Sequence, residues 1–344
     1  MPLPLLAITP GDPAGIGPEV LVKALADPST HQVARPLVVG DADVVTEALR
    51  TVGIPLLPNV IEKQEDARFA PETVDILHLP AQGRSRIRMG EPSAAGGSAA
   101  AAWVERAVAL ARQGHAQAVV AGPTHARALR LAGRPYRTQA DMLASLTGAT
   151  EYAALLISGP VRIAQVATDL PLREVPRFIN KTRVLVTIKL LRQALQQMAI
   201  EEPRIGVATL NPDASGSGRL GREDVKEVLP AVQAAAELKF DVDGPMPAGL
   251  LAARLVRGYY DAGVAMYDDQ AQIAVMAHNP GLDHWGRGVV VAGVDVTIGL
   301  PIIAVSVGHG PAFDIAGQGI ANGRPLVEAI GVAADFASHR PTHR

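Results

Sequence analysis

Residues 305–322 read V-S-V-G-H-G-P-A-F-D-I-A-G-Q-G-I-A-N and follow an apolar run from Ile298 to Val305. The apolar run predicts a buried strand, and the glycine-rich segment predicts a loop where that strand ends. Such a loop suits a nucleotide, because Gly308 and Gly310 allow backbone N–H groups to approach a ligand closely. A strand that ends in a ligand loop is typical of α/β folds.

Two side chains of this loop can contact a nucleotide directly. His309 offers an imidazole to a ribose or a phosphate, and Asp314 can accept hydrogen bonds from ribose hydroxyls or from the loop itself. The alternative is a plain turn between a strand and a helix, with Asp314 as the helix cap. The residues alone leave both interpretations open.

Composition restricts the class of protein. The chain has 344 residues, of which 48% are hydrophobic, which is enough for two packed α/β lobes. Its 32 basic and 34 acidic residues and its 3% aromatic content provide neither a basic surface nor stacking rings for nucleic acid. No cysteine is present, which excludes disulfides, a zinc–thiolate site and a thiol nucleophile. We therefore expect a small-molecule ligand.

No segment of the sequence predicts membrane insertion or export. The N-terminus, M-P-L-P-L-L-A-I-T-P-G-D, lacks a basic region and reaches a turn after about eight residues. No apolar run approaches the roughly 20 residues of a membrane span. We therefore expect a soluble, cytoplasmic enzyme without a membrane partner.

Strands and helices alternate along the chain. A first strand at Leu3–Thr9 is followed by a glycine loop at residues 10–17, after which Pro18 and Glu19 predict the first turn of a helix. Further predictions are strands at Leu37–Gly40, Asp75–Leu79, Ala118–Ala121, Ala153–Ile157, Val161–Val166 and Ile205–Leu210 and a helix at Ser98–Gln113. This order predicts an α/β fold with a largely parallel sheet covered on both faces. By composition alone, the first glycine loop is more typical of a tight structural connection than of a phosphate site.

Three segments carry a resemblance to a known family. They are I-T-P-G-D-P-A-G-I-G-P-E at residues 8–19, M-G-E-P-S-A-A-G-G at residues 89–97 and H-G-P-A-F-D-I-A-G-Q-G-I-A-N at residues 309–322. Together they resemble the 4-hydroxythreonine-4-phosphate dehydrogenases. These are relatives of the decarboxylating β-hydroxyacid dehydrogenases, which have the isopropylmalate dehydrogenase fold.

This resemblance implies a two-lobed α/β/α fold with mostly parallel sheets and a cleft between the lobes. The nucleotide-binding lobe would comprise residues 1–130 and 295–344, and residues 131–294 would form the lobe for substrate, metal and dimerisation. The resemblance also implies a homodimer whose active site takes residues from both subunits. The dinucleotide, NAD or NADP, would contact Gly308, His309, Gly310, Ala312 and Asp314.

The family carries a metal-binding histidine at three places where this chain has aspartate. They are Asp169 in A-T-D-L-P-L-R, Asp213 in N-P-D-A-S-G-S-G and Asp268 in M-Y-D-D-Q. Each follows a predicted strand, and the ends of strands are where α/β sheets form ligand crevices. Three carboxylates favour Mg²⁺ or Mn²⁺ over Zn²⁺, because hard oxygen donors suit the harder cations. The alternative is a lost site, in which the aspartates are surface turn residues.

Two further positions retain the residues of the family's Y-H-D-Q motif. These are Asp269 and Gln270, which the resemblance places close enough to orient substrate or to move protons. For Asp269, a structural hydrogen bond is as good an interpretation as a role as general base.

The substrate positions depart from the family at five residues: Gln139, Ala140, Met276, Asp295 and Ala304. The first two lie in T-Q-A-D, which replaces G-H-T-E, and the last three replace a lysine, an asparagine and an arginine that bind phosphate in the family. The loss of two positive charges and the gain of a carboxylate predict a non-phosphorylated substrate. Ser306–Gly317 also resembles the terephthalate cis-dihydrodiol dehydrogenases, which oxidise such a substrate with decarboxylation.

We therefore expect NAD(P)-dependent, metal-assisted oxidation of a secondary alcohol followed by decarboxylation. The expected substrate is a cis-dihydrodiol carboxylate or another non-phosphorylated hydroxy acid. The alternatives are 4-hydroxythreonine-4-phosphate dehydrogenase activity, a non-catalytic dinucleotide-binding protein, and a metal-dependent lyase or isomerase that uses no cofactor. The glycine-histidine loop argues against the lyase or isomerase.

Overall fold

The computed structural model describes residues 2–134, 136–212, 218–278 and 293–339. The chain divides into two compact units, which are Met1–Ala149 with Leu300–Arg344 and, as the second unit, Thr150–Gly299.

The unit boundaries differ from the predicted lobe boundaries at residues 131–149 and at residues 295–299, which lie in the second unit although they are predicted for the nucleotide-binding lobe. Residues 131–149 are predicted to lie in the substrate lobe, whereas Met142 and Leu143 belong to the hydrophobic core of the first unit. Both side chains are at most 1% exposed, so their burial fixes the segment in that unit. The functional division of the two lobes stays a prediction.

Strands and helices alternate as the sequence predicts. The strands are β1 (Leu5–Thr9), β2 (Arg35–Gly40), β3 (Leu57–Ile61), β4 (Thr73–His78), β5 (Ala118–Ala121), β6 (Ala153–Ser158), β7 (Val161–Gln165), β8 (Ile205–Ala208), β9 (Val242–Met246), β10 (Ala262–Ala265), β11 (Val294–Ile298) and β12 (Ile303–Val307). The helices are α1 (Gly17–Ala26), α2 (Pro28–Val33), α3 (Ala42–Val52), α4 (Ala94–Arg112), α5 (Ala126–Leu131), α6 (Gln139–Thr147), α7 (Val175–Phe178), α8 (Lys181–Gln197), α9 (Leu229–Glu237), α10 (Ala248–Val256), α11 (Asp268–His278) and α12 (Arg324–His339).

The sheet of the first unit is parallel. Its strands lie in the order β3-β4-β2-β1-β5-β12, and the neighbours pair in parallel. Every residue of β1 is buried, and Ala7 at its centre lies between Leu37 of β2 and Val119 of β5. A strand covered on both faces has a continuous apolar sequence, which explains the run of apolar residues in β1. The carboxyl ends of β1, β5 and β12 therefore meet at one edge.

The sheet of the second unit is mixed. Its strands lie in the order β11-β6-β7-β10-β8-β9. The pairs β11–β6 and β6–β7 are antiparallel, whereas the remaining neighbours are parallel. The adjacent strands β7, β10 and β8 therefore end at one edge, where the loops with the predicted metal ligands begin. The prediction of an α/β fold with mostly parallel sheets is confirmed.

The predicted strand at Ile298–Val305 is wrong in its position. Strand β11 ends at Ile298, and β12 begins at Ile303. Between them Gly299 has a φ of +93°, a left-handed conformation that ends a strand. Pro301 has no backbone N–H to donate to a sheet. The apolar run therefore contains a turn, which hydrophobicity alone does not reveal.

Helix α4 packs against both the sheet of the first unit and α5. It begins at Ser93, whose Oγ accepts a 3.0 Å hydrogen bond from the N–H of Gly96, and its Trp103 is fully buried. A Cβ atom on Gly97 would lie 2.1 Å from the carbonyl oxygen of Ala128. The glycine is therefore required for the close approach of the two helices. Among the described residues, no helix is both long and apolar enough to span a bilayer.

Candidate functional site

Three loops meet at the carboxyl edge of the first unit's sheet. The N–H of Asp12, after β1, donates a 2.9 Å hydrogen bond to the carbonyl of Pro123, after β5. The N–H of Ile16 donates a 2.8 Å hydrogen bond to the carbonyl of Pro311, after β12. Three adjacent parallel strands thus bring segments more than 100 positions apart into one backbone network.

The first glycine loop is closely packed against its neighbours. A Cβ atom on Gly17 would lie 1.9 Å from the carbonyl oxygen of Pro10, and one on Gly15 would lie 2.5 Å from Cβ of Pro311. Both positions therefore require glycine for packing. This agrees with the interpretation of the loop as a tight structural connection, and it makes the loop a support for the segment after β12.

The loop after β12 is open to a ligand on its other side. A Cβ atom on Gly310 would meet no atom within 4 Å. Ala312 has a φ of +39°, a left-handed conformation that a non-glycine residue rarely adopts and that is common at ligand sites. Within the described residues, the backbone N–H groups of Gly310, Ala312 and Phe313 have no hydrogen-bond acceptor. Such N–H groups can bind an anion such as a phosphate.

The two polar side chains of this loop differ in environment. Asp314 is exposed. His309 is more enclosed, and its burial lowers the pKa of the imidazole. Nδ1 of this ring lies 2.9 Å from the carbonyl oxygen of Gly310. Asp314 does not cap a helix, because α12 begins ten residues later and Asn322 accepts the hydrogen bond from the N–H of Arg324. The interpretation of Asp314 as a cap is therefore wrong, and its carboxylate remains a candidate ligand for ribose.

Two further groups at this edge of the sheet are not predicted from the sequence. The ring of His125, before α5, packs edge-on against Phe313 with centroids 5.0 Å apart. The carboxyl of Asp12 is fully buried, and its Oδ1 accepts a 3.0 Å hydrogen bond from the N–H of Ala14. Burial raises the pKa of Asp12 to about 6, although that hydrogen bond opposes the effect. No local motif identifies the contact of His125 with Phe313, because it depends on the pairing of distant strands.

Two of the three predicted metal ligands meet in the second unit. Oδ2 of Asp268, at the start of α11, accepts a 2.7 Å hydrogen bond from the backbone N–H of Asp169, which follows β7. Asp169 has a φ of +53° and is exposed. Burial raises the pKa of Asp268, and the charges of Asp169 and Asp269 raise it further. A bound cation would offset the repulsion between these negative charges in the half-buried site.

The third predicted ligand, Asp213, lies outside the described residues. In residues 2–134, 136–212, 218–278 and 293–339, no group of three or more His, Cys, Asp or Glu side chains is arranged to hold a metal ion. The donors that are described, Asp169 and Asp268, are carboxylates and fit a hard cation such as Mg²⁺. The complete ligand set stays a prediction.

Gln270 joins the ends of two strands in the second unit. Its Oε1 accepts a 2.8 Å hydrogen bond from the N–H of Met266, after β10, and its Nε2 donates one of 2.8 Å to the carbonyl of Thr209, after β8. Both ends of the amide are thus occupied by backbone groups, which fixes the start of α11. Asp269 is exposed at the same turn. A catalytic role for these two residues stays a prediction.

The five predicted substrate positions lie in different surroundings. Nε2 of Gln139 donates a 3.3 Å hydrogen bond to the carbonyl of Gly122, and Ala140 follows in the first turn of α6. Met276 is 43% exposed on α11, whereas Ala304 is 1% exposed within the core of the first unit. Asp295 is half-buried in β11, with its Oδ1 enclosed. Burial raises the pKa of Asp295 to about 6, and the charge of Asp268 contributes.

Glycine loops and carboxylates at the carboxyl ends of parallel strands define an α/β enzyme with small-molecule sites in its loops. The family described as "Pyridoxal phosphate biosynthetic protein PdxA" matches residues 32–333. The chain belongs to this family, which confirms the resemblance to the 4-hydroxythreonine-4-phosphate dehydrogenases, and it is therefore a dehydrogenase.

Three relatives document the similarity. A D-threonate 4-phosphate dehydrogenase from Cupriavidus necator is 41% identical over 343 residues, which cover 98% of both chains. The crystal structure of a 4-hydroxythreonine-4-phosphate dehydrogenase from Burkholderia phymatum is 38% identical, with a TM-score of 0.81 and coverage of 97% of this chain and 98% of that one. The structure of a terephthalate 1,2-cis-dihydrodiol dehydrogenase from Burkholderia xenovorans is 29% identical, with a TM-score of 0.64 and coverage of 97% and 98%.

The expectation of a non-phosphorylated, dihydrodiol-type substrate is wrong. The two relatives of higher identity are named for phosphorylated substrates, whereas the terephthalate enzyme is more distant in identity and in structure. The expectation rested on lost charges at Met276 and Ala304. Ala304 is a core residue, and phosphate can also be bound by backbone N–H groups and helix N-termini. Two substituted positions therefore do not exclude a phosphate.

Proposed function

We propose that this protein is an NAD(P)-dependent, divalent-metal-assisted dehydrogenase of a phosphorylated hydroxy acid. D-threonate 4-phosphate is the substrate favoured, and 4-hydroxythreonine 4-phosphate is the second. The observation that carries the proposal is the 41% identity with a D-threonate 4-phosphate dehydrogenase over 98% of both chains. Such coverage includes every loop described above, so the similarity is not limited to a shared nucleotide motif.

The cofactor is assigned to the loop from Gly308 to Asp314. Its support is the left-handed Ala312, the open space above Gly310 and the backbone N–H groups that lack acceptors among the described residues. These N–H groups would bind the negatively charged part of a dinucleotide. The exposed carboxylate of Asp314 would accept hydrogen bonds from ribose hydroxyls.

Asp169, Asp213 and Asp268 are the residues that would hold the divalent cation. When bound, the cation would polarise the substrate hydroxyl and the neighbouring carboxylate and stabilise negative charge that develops on oxygen. The hydrogen bond from the N–H of Asp169 to Asp268 supports the assignment, because it fixes one carboxylate at the strand edge. Gln270 would keep Asp268 in place by holding the first turn of α11.

The proposed reaction is oxidation followed by decarboxylation. The hydroxyl carbon β to the substrate carboxylate would lose a hydride to NAD(P)⁺, and the hydroxyl proton would pass to a base. The resulting β-keto acid would lose its carboxylate as CO₂, and the carbon that carried it would take up a proton. Asp269 is a candidate for moving one of these protons. We also propose that the protein is a homodimer whose active site takes residues from both subunits.

A substrate comparison tests the proposed function. Purified protein with Mg²⁺ or Mn²⁺ should reduce NAD⁺ or NADP⁺ in the presence of D-threonate 4-phosphate or 4-hydroxythreonine 4-phosphate, and CO₂ should form in equal amount. D-threonate is the matched control, because it differs only by the phosphate. Reduction of neither cofactor with either phosphorylated compound would refute the proposal.

A further inference from the structure

Helix α1 fixes the segment that follows the cofactor loop. Oε1 of Glu19 accepts a 2.6 Å hydrogen bond from the backbone N–H of Gly317. The ammonium group of Lys23 donates to the carbonyl oxygens of Gly319 at 2.7 Å and Ala321 at 2.6 Å. Glu19 and Lys23 are four positions apart, so they lie on one face of the helix. One helix face therefore fixes three backbone groups of this segment.

The segment needs such support because it has no regular structure of its own. Between the end of β12 at Val307 and the start of α12 at Arg324, the described backbone forms turns, bends and irregular structure, with no strand or helix. Gly317 and Gly319 have left-handed φ values of +80° and +69°. Hydrogen bonds with a charged partner are stronger than those between neutral groups. The two charged side chains thus replace the sheet or helix bonds that this backbone lacks.

The same helix also holds the cofactor loop at its centre. The N–H of Ile16, just before α1, donates to the carbonyl of Pro311. Glu19 is 3% exposed and borders a pocket of about 310 Å³ that Met89 and Gly317 also line. Burial of a carboxylate is unfavourable unless its charge is used in a hydrogen bond. The hydrogen bond that Gly317 donates to Oε1 is the one contact that uses this buried acid, since Oε2 has no partner among the described residues.

We propose that Glu19 and Lys23 are positioning residues for dinucleotide binding. They act through the backbone, by fixing residues 317–321 and with them the orientation of the loop from Gly308 to Asp314. They do not touch the reacting atoms. The inference rests on the proposed function, because it places the cofactor at this loop.

The test is cofactor binding by Glu19→Ala and Lys23→Met. The Kd for NADH, measured by fluorescence titration, and the KM for the oxidised cofactor should each rise about 10-fold, because Glu19→Ala loses one charge-assisted hydrogen bond and Lys23→Met loses two. The KM for the phosphorylated hydroxy acid should stay within about twofold of wild type. Glu19→Gln should bind nearly as well as wild type, because its amide oxygen still accepts from Gly317.

Two exposed residues of the same unit provide matched controls. Glu62→Ala and Lys63→Met remove the same kinds of side chain after β3 and should leave the Kd for NADH unchanged. Hydrogen exchange gives a second readout that a general loss of stability does not reproduce. Exchange at the Gly317 amide should accelerate in Glu19→Ala and stay at the wild-type rate in Lys63→Met.

The outcomes separate this inference from the proposed function. If the wild-type protein neither binds nor reduces NAD(P)⁺, the proposed function fails. If the wild type binds the cofactor and Lys23→Met binds it equally well, the positioning role is refuted and the proposed function stands. If Glu19→Ala does not fold, Lys23→Met decides alone. A matched rise in the KM for cofactor and for hydroxy acid would also refute the positioning role.

Discussion

Oδ2 of Asp268 lies 2.7 Å from the backbone nitrogen of Asp169, although the two residues are 99 positions apart. The contact joins the turn after β7 to the first turn of α11. Burial and the neighbouring charges raise the pKa of Asp268, although the hydrogen bond from Asp169 opposes the effect, so the ionised form of Asp268 is disfavoured without a counter-charge. The assignment of Asp268 as a metal ligand can therefore be tested by removing its charge while keeping an oxygen that accepts the hydrogen bond.

Asp268→Asn should weaken metal binding without unfolding the protein. The amide oxygen of asparagine can still accept from the N–H of Asp169, but the negative charge is lost. We expect the Mg²⁺ or Mn²⁺ concentration for half-maximal activity to rise about 10- to 100-fold, with partial recovery at high metal concentration. After chelation, Mg²⁺ or Mn²⁺ should restore the wild type better than Zn²⁺ does. Titration of activity with each metal checks both points.

The control for this experiment is Asp241→Asn, which removes an exposed carboxylate from the same unit. It should leave the metal titration unchanged. Equal metal dependence of wild type and Asp268→Asn would contradict the assignment of Asp268 as a ligand.

Gly310→Val should reduce cofactor binding while the fold remains intact. A Cβ atom at this position meets no protein atom within 4 Å, so the added side chain would fill space that a ligand uses. We expect the Kd for NADH to rise about 10-fold or more and the Tm to change by less than about 2 °C. Fluorescence titration and thermal unfolding check the two expectations. Gly331→Val, on α12 and also without an atom within 4 Å, should leave the Kd unchanged.

The sequence predicts the strands that are buried on both faces, because such strands require continuous apolar runs. It predicts Ala118–Ala121 as observed, and it fails at Ile298–Val305, where a glycine with positive φ interrupts the apolar run. Asp169 and Asp268 are predicted as site residues from the family resemblance of their motifs. No physical property of the local sequence identifies them. Glu19 shows what is missed, because its partner Gly317 is 298 positions away and no local pattern encodes that contact.

Asp295→Asn should improve the use of a phosphorylated substrate. The family resemblance places a phosphate-binding asparagine at this position, and burial raises the pKa of Asp295 to about 6. Above that pH the carboxylate is ionised and repels a phosphate. At about pH 7.5 we expect the KM for D-threonate 4-phosphate to fall roughly 3- to 10-fold, with little change for D-threonate. Steady-state kinetics on both compounds check this, and an equal effect on both would contradict a role in phosphate recognition.

The stability of the first unit should depend on Asp12 in a defined pH range. Burial raises the pKa of Asp12 from 3.8 to about 6, so the folded state favours the protonated acid. Asp12 therefore adds to the free energy of unfolding when it is protonated. This contribution is fully present below about pH 4 and is lost as the pH rises through about 6. Asp12→Asn keeps the acceptor for the N–H of Ala14 and cannot ionise. It should therefore be more stable than wild type at neutral pH.

The difference between Asp12→Asn and wild type has an upper limit set by the pKa change. At about pH 8 the variant should gain at most about 3 kcal/mol in the free energy of unfolding, and the gain should vanish near pH 4. Urea unfolding at a series of pH values measures both limits. If the gain is the same at every pH, the effect comes from packing and the buried carboxyl does not titrate as stated. If there is no gain at neutral pH, the N-terminus of α4, where Gly96 lies beside Asp12, compensates for the buried charge.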